Sequence, residues 1–70
     1  RGIELSGANG SITLRFQNKH HRVQLYNLHG KLLQTKSGDQ FVQFNSLSRG
    51  VYFLQVNNGE FQLEKKLAVH

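Results

Sequence analysis

Apolar residues recur at every second position in one segment of this chain after another, and that period excludes most of what a short chain can become. In "SITLRF" Ile12, Leu14 and Phe16 alternate with Thr13 and Arg15, so one face of an extended strand is apolar and the other polar. "RVQLYNL" starts the same way with Val23 and Leu25 and then slips phase to reach Leu28, which predicts a bulge near Tyr26 and Asn27. The runs "KLLQT", "QFVQF", "GVYFLQV" and "EFQLEKKLAV" follow. No segment carries apolar residues at helical spacing. The chain is therefore expected to be all-β.

Glycine and asparagine separate these runs, and there is no proline. Asn58-Gly59 is the strongest short-range hairpin signal, because a type I′ turn takes positive φ at both central residues. It predicts that the last two strands are antiparallel neighbours. Asn9-Gly10 and His29-Gly30 read as similar but weaker turns. Some seven short strands, with turns about every eight to twelve residues, favour a small immunoglobulin-like or fibronectin-like Greek-key β-sandwich of antiparallel strands. A small open barrel is the alternative.

Seventy residues make one domain, 1–70, and a chain near this size buries only about 60% of the surface it exposes unfolded. Its core must be thin. The absence of cysteine excludes both a disulfide framework and a thiolate metal site, so packing alone must hold the fold. With 37% hydrophobic residues, a mean hydropathy of -0.50 and no apolar run near the ~18 residues of a spanning helix, no membrane span is expected, nor a disordered tail. There is no methionine, and "RGIELSG" has neither a charged n-region nor an apolar h-region. The chain is thus expected to be a fragment of a larger secreted precursor, with any signal peptide upstream.

Nine Lys/Arg against four Asp/Glu give a net charge of +5 and a pI of about 10.1, which raises nucleic acid or another polyanion as partner. The cations are scattered, however, and the one dense run is "NKHHR" at 18–22. No specific nucleic-acid site follows. The carboxylates Glu4, Asp39, Glu60 and Glu64 lie near predicted turns or on a solvent-facing strand side, and no Ser, His and carboxylate stand in a nucleophilic setting. No enzyme and no cofactor are expected. His20 and His21 would point to opposite strand faces and have no evident third ligand, so they are expected to be solvated turn histidines rather than metal ligands.

The stretch "SLSRGVYFLQV" carries a more specific pattern. In Leu47-x-x-Gly50-x-Tyr52 the glycine lets the chain turn into a strand, and the tyrosine can fold inward while its hydroxyl reaches an upstream backbone group. That is the pattern of a tyrosine corner. Tyr52, Leu54 and Val56 would then face the core, with Val51, Phe53 and Gln55 on the other side.

In order and spacing, "VQLYNLHGKLLQT", "VQFNSLSRGVYFLQV" and "NNGEFQLEKKLAV" resemble the C-terminal sorting domain, type A, of proteins exported by the bacterial type IX (Por) secretion system. The family pattern is an apolar strand ending in a Tyr-Asp-x-x-Gly-Arg/Lys turn, a Leu-x-x-Gly-x-Tyr corner, and a last strand with a Lys-Lys-like pair near the C-terminus. Tyr26, Asn27, Gly30 and Lys31 fit the first element, with Asn in place of the usual Asp. Leu47, Gly50 and Tyr52 fit the second, and Lys65 and Lys66 the third. The resemblance runs from about Ser11 to the end. It departs from the family in lacking the usual opening proline segment and in ending on His70.

The resemblance implies an address rather than a reaction. Such a domain follows a cargo protein, folds in the periplasm of a Gram-negative bacterium, and is recognised by the outer-membrane secretion machinery. A sortase-like peptidase commonly removes it as the cargo is anchored at the cell surface or secreted. The rival function is a carbohydrate-binding or adhesive accessory module, because Tyr26, Phe41 and Phe53 fall on the outward phase, where aromatic rings can stack on sugars. In the final strand, Phe61, Leu63, Leu67 and Val69 share a face with Lys65. Either the lysine stem lies along the sandwich rim with its ammonium in water, or a bulge at Lys65-Lys66 turns it out. An open sheet edge also offers a route to a dimer.

Overall fold

The structure, a computed structural model, describes residues 3–16, 20–59 and 62–70. Its elements are β1 (Glu4–Ala8), β2 (Ser11–Arg15), β3 (His21–Tyr26), β4 (Leu32–Gly38), β5 (Phe41–Phe44), β6 (Gly50–Asn57) and β7 (Gln62–Val69). Every strand pair is antiparallel. One sheet has the order β1-β2-β5, the other β4-β3-β6-β7. The chain changes sheet after β2, after β4 and after β5, so non-sequential strands meet as in a Greek key. With β4 beside β3, the arrangement is the fibronectin-like form of the expected β-sandwich rather than an open barrel.

The two-residue period builds the core. Ile12 and Leu14 of β2 stand opposite Phe44 and Val42 of β5, and Val23 and Leu25 of β3 opposite Val56 and Leu54 of β6. These eight side chains are all buried, together with Phe16, Tyr52 and Val69. They are the inward-facing half of each alternation, and their burial drives the two sheets together. β4 contributes no buried residue. Leu32 and Leu33 are exposed there, as is Leu28 in the preceding turn, so the apolar phase expected to resume at Leu28 does not reach the core. The register does shift between Leu25 and Tyr26, but the extra residue is not at Tyr26 or Asn27: Leu25 pairs with Gln34 and Tyr26 with Leu32, so the bulge is Leu33 on the partner strand β4.

The turns correct the sequence in one respect. Asn9 and Gly10 both take positive φ, 55° and 77°, and close a two-residue hairpin between Ala8 and Ser11. Asn58-Gly59 does join antiparallel neighbours, but Asn57 pairs with Gln62, so the connection is four residues long. Only Gly59 of that dipeptide has positive φ, and its N–H is accepted by Asn57 Oδ1 at 2.8 Å. The Asx turn begun by Asn57 displaces the tighter turn that the dipeptide alone favours. Phe61, Glu60 and the 18–19 part of the basic run lie outside the described residues.

The two sheets approach each other at both sides. An added Cβ at Gly7 would lie 3.2 Å from Leu67 Cδ2 and 3.4 Å from the Ala68 carbonyl, so β1 passes close over β7 because residue 7 has no side chain. On the other side Lys36 of β4 donates to the Gln43 carbonyl of β5 at 2.8 Å, with its ammonium 5.7 Å from the Phe44 ring centroid. Lys36 stands opposite Val23 in register, at an inward-facing position, and so reaches across the sandwich edge.

His21 is likewise a correction. It is only 4% exposed and stacks on Phe16 with ring centroids 4.0 Å apart, because the first inward position of β3 closes one end of the core and an imidazole face packs like any aromatic. His20 is solvated as expected, with Nδ1 2.9 Å from Asp39 Oδ1.

Candidate functional site

The residues singled out in the sequence fall into three places. The first is the corner. Gly50 has φ of 154°, a conformation available in practice only to glycine, and it opens β6. Two residues on, Tyr52 is buried and its hydroxyl donates to the Ser48 carbonyl at 2.7 Å. Leu47 packs against the core, and its N–H donates to the Gly10 carbonyl at 2.9 Å. Ser11 Oγ adds a bond to Asn45 Oδ1 at 2.9 Å. Leu47 thus ties the entry of the four-stranded sheet to the β1–β2 turn of the other sheet, and the Leu47 and Tyr52 side chains are occupied within the fold.

The second place is the β3–β4 turn. Asn27 Oδ1 accepts from the N–H groups of His29 at 2.9 Å and Lys31 at 3.0 Å. The Asn27 carbonyl takes the Gly30 N–H, and the Asn27 N–H donates to the Lys31 carbonyl, both at 3.0 Å. Gly30 has φ of 84° and nothing within 4 Å of an added Cβ, so the backbone conformation calls for glycine there, not a shortage of space. The polar residue after Tyr26 is a turn organiser, and Asp would supply the same acceptor. Lys31 holds the turn through its backbone while its side chain is exposed.

The third is the outer face of the four-stranded sheet. Tyr26, Phe53 and Lys66 stand side by side across β3, β6 and β7. The neighbouring row is Gln24, Gln55 and Glu64. A groove of about 410 Å³ lies over them, lined by Tyr26, Gly30, Phe53, Gln55, Glu64 and Lys66, with Leu54 and Lys65 of the inward-facing rows also bordering it. Phe53 is 36% exposed, although it lies mid-strand, and Tyr26 is half-buried. Its hydroxyl lies 3.4 Å from Gln24 Oε1. Gln55 Nε2 donates to Glu64 Oε2 at 3.4 Å. β3, from a distant part of the sequence, meets the β6–β7 hairpin here because β6 lies between β3 and β7.

Lys65 is separated from its neighbour. It pairs with Leu54 in an unbroken register, so there is no bulge, and it shares the inward face with Leu63 and Leu67. It remains exposed because β7 is an edge strand, and it lines a small crevice with Ile3, Leu5 and Leu63. The rim alternative holds: stem on apolar surface, ammonium outward. Lys65 and Lys66 therefore occupy opposite-facing positions of β7, although Lys65 borders the outer groove as well as the crevice. Phe41 is 53% exposed but sits on β5 of the other sheet, away from the groove.

Among the described residues, no three His, Cys, Asp or Glu side chains gather into a metal-binding group, and no helix is long and apolar enough to cross a membrane. Two antiparallel sheets clamped by a tyrosine corner make this a fibronectin-like β-sandwich. Residues 7–70 match the family of secretion system C-terminal sorting domains, and the chain belongs to that family. It is a C-terminal sorting signal of type IX secretion, which marks a secreted or cell-surface protein and engages the secretion machinery as part of a cargo precursor. Domains of this family are sorting signals and not catalysts. A comparison with curated proteins found no match, and nothing supports the carbohydrate-binding alternative.

Proposed function

We propose that the outer face of β3, β6 and β7 is the surface the outer-membrane secretion machinery reads, with Tyr26, Phe53 and Lys66 at its centre and Gly30 and Lys31 shaping its end. The domain spans the whole chain, 1–70, follows a cargo domain in the same precursor, and folds in the periplasm of a Gram-negative bacterium. After export a sortase-like peptidase removes it, and the cargo is secreted or held at the cell surface. The observation that carries this proposal is the row Tyr26, Phe53, Lys66, which gathers residues from separate sequence elements onto one exposed face. Leu47, Gly50 and Tyr52 act indirectly, by holding that face in shape.

The split between the two terminal lysines gives the test. A reporter enzyme fused upstream is followed in medium and cells of a type IX-competent host. Lys66→Gln lowers export and Lys65→Gln leaves it unchanged, both domains remaining folded. Equal loss from both would assign the effect to the basic pair as such, and no loss from either would remove Lys66 from the surface.

A further inference from the structure

We infer that the groove over β3, β6 and β7 takes an acidic peptide segment of a protein partner, its apolar side chain lying on Tyr26 and Phe53 and its carboxylate drawn to Lys66. This names the partner chemistry of the face proposed above and rests on that proposal. The groove, about 410 Å³, falls near the lower end of ligand-binding cavities, and it opens along a sheet face. Such a space suits one or two side chains of a larger partner. The aromatic pair supplies rigid apolar area at little cost in side-chain entropy, as at the centres of protein interfaces.

The charges select the occupant. Lys66 stands directly beside Phe53, and among the described residues no carboxylate lies within ion-pair distance of it. The carboxylate on the adjacent row, Glu64, accepts from Gln55. Arg22 belongs to the same outer face of β3 and is exposed. The chain as a whole carries +5, so long-range attraction favours an anionic partner and opposes a second copy of this chain.

The test is selection of random dodecapeptides by phage display on the immobilised 70-residue chain. Enriched peptides are expected to carry Asp or Glu within two positions of an aromatic or aliphatic residue. Titrated into ¹⁵N-labelled protein, a consensus peptide should shift the amides of Tyr26, Phe53 and Lys66. Its Kd should rise about fivefold on Lys66→Gln or on exchange of its own Asp for Asn, the effect of losing an exposed ion pair of about 1 kcal/mol. No enrichment, enrichment of basic or neutral peptides, or shifts confined to the other sheet would overturn the inference. So would a dimer of the free chain that Phe53→Thr dissolves. Export measured on the same variants separates the two proposals. Lost export with a non-acidic consensus overturns the ligand chemistry alone, whereas intact export with an acidic consensus overturns the role of the face in secretion.

Discussion

The Tyr52 hydroxyl has one partner, the Ser48 carbonyl at 2.7 Å, and its ring is nearly withdrawn from water. Tyr52→Phe keeps the ring and leaves that carbonyl without the bond, so it should cost about 1 kcal/mol in a urea titration; an unchanged midpoint would remove the clamp. Asn27 is a second residue whose role is set by acceptor geometry. Asn27→Ala leaves the His29 and Lys31 N–H groups without their side-chain partner and should cost about 1–2 kcal/mol. Asn27→Asp keeps the acceptor and should stay within about 0.5 kcal/mol of the parent. Thermal melts of both variants check this, and equal losses would mean that the amide NH₂ rather than Oδ1 matters. Tyr52 was legible in the sequence because its offsets from Leu47 and Gly50 are fixed by local backbone geometry. His21 was not, because a histidine beside a turn shows its burial only once Phe16 is placed against it.

At the scale of strands, the four-stranded sheet has two edges, and each carries an inward-facing lysine. Lys36 on β4 lies opposite Val23, and Lys65 on β7 opposite Leu54. Charges in such positions resist edge-to-edge pairing, because a docking strand would bury them. Lys36→Val with Lys65→Val should therefore raise self-association above that of the parent in sedimentation velocity, with β content unchanged; equal behaviour of the two proteins would show that the edges are guarded by something else. The strands themselves were readable from the period of two wherever one face is buried. β4 was the exception: both its faces are largely exposed, so Leu32 and Leu33 carry no phase information. The length of the β6–β7 connection was hidden for a different reason, since the Asn57 side chain overrides what Asn58-Gly59 would form alone.

In the molecule as a whole, a thin core and a corner hold one sheet face outward, and the family of the chain makes the domain a sorting signal. The outward phase of Tyr26 and Phe53 could be read from alternation, but their meeting with Lys66 could not. The β6–β7 pairing was expected from Asn58-Gly59, but β3 beside β6 and the register that sets Lys66 opposite Phe53 were not, because the first is a long-range pairing and the second depends on the length of the connection. Whether the secretion machinery reads this face is decided by export of a reporter carrying Phe53→Thr with Lys66→Gln. Both positions are exposed, so the melting temperature should stay within a few degrees of the parent's, about the change produced by surface substitutions. The folded variant should stay in the cell while the parent reaches the medium or surface; export of the variant at the parent's level would show that the machinery does not read this face.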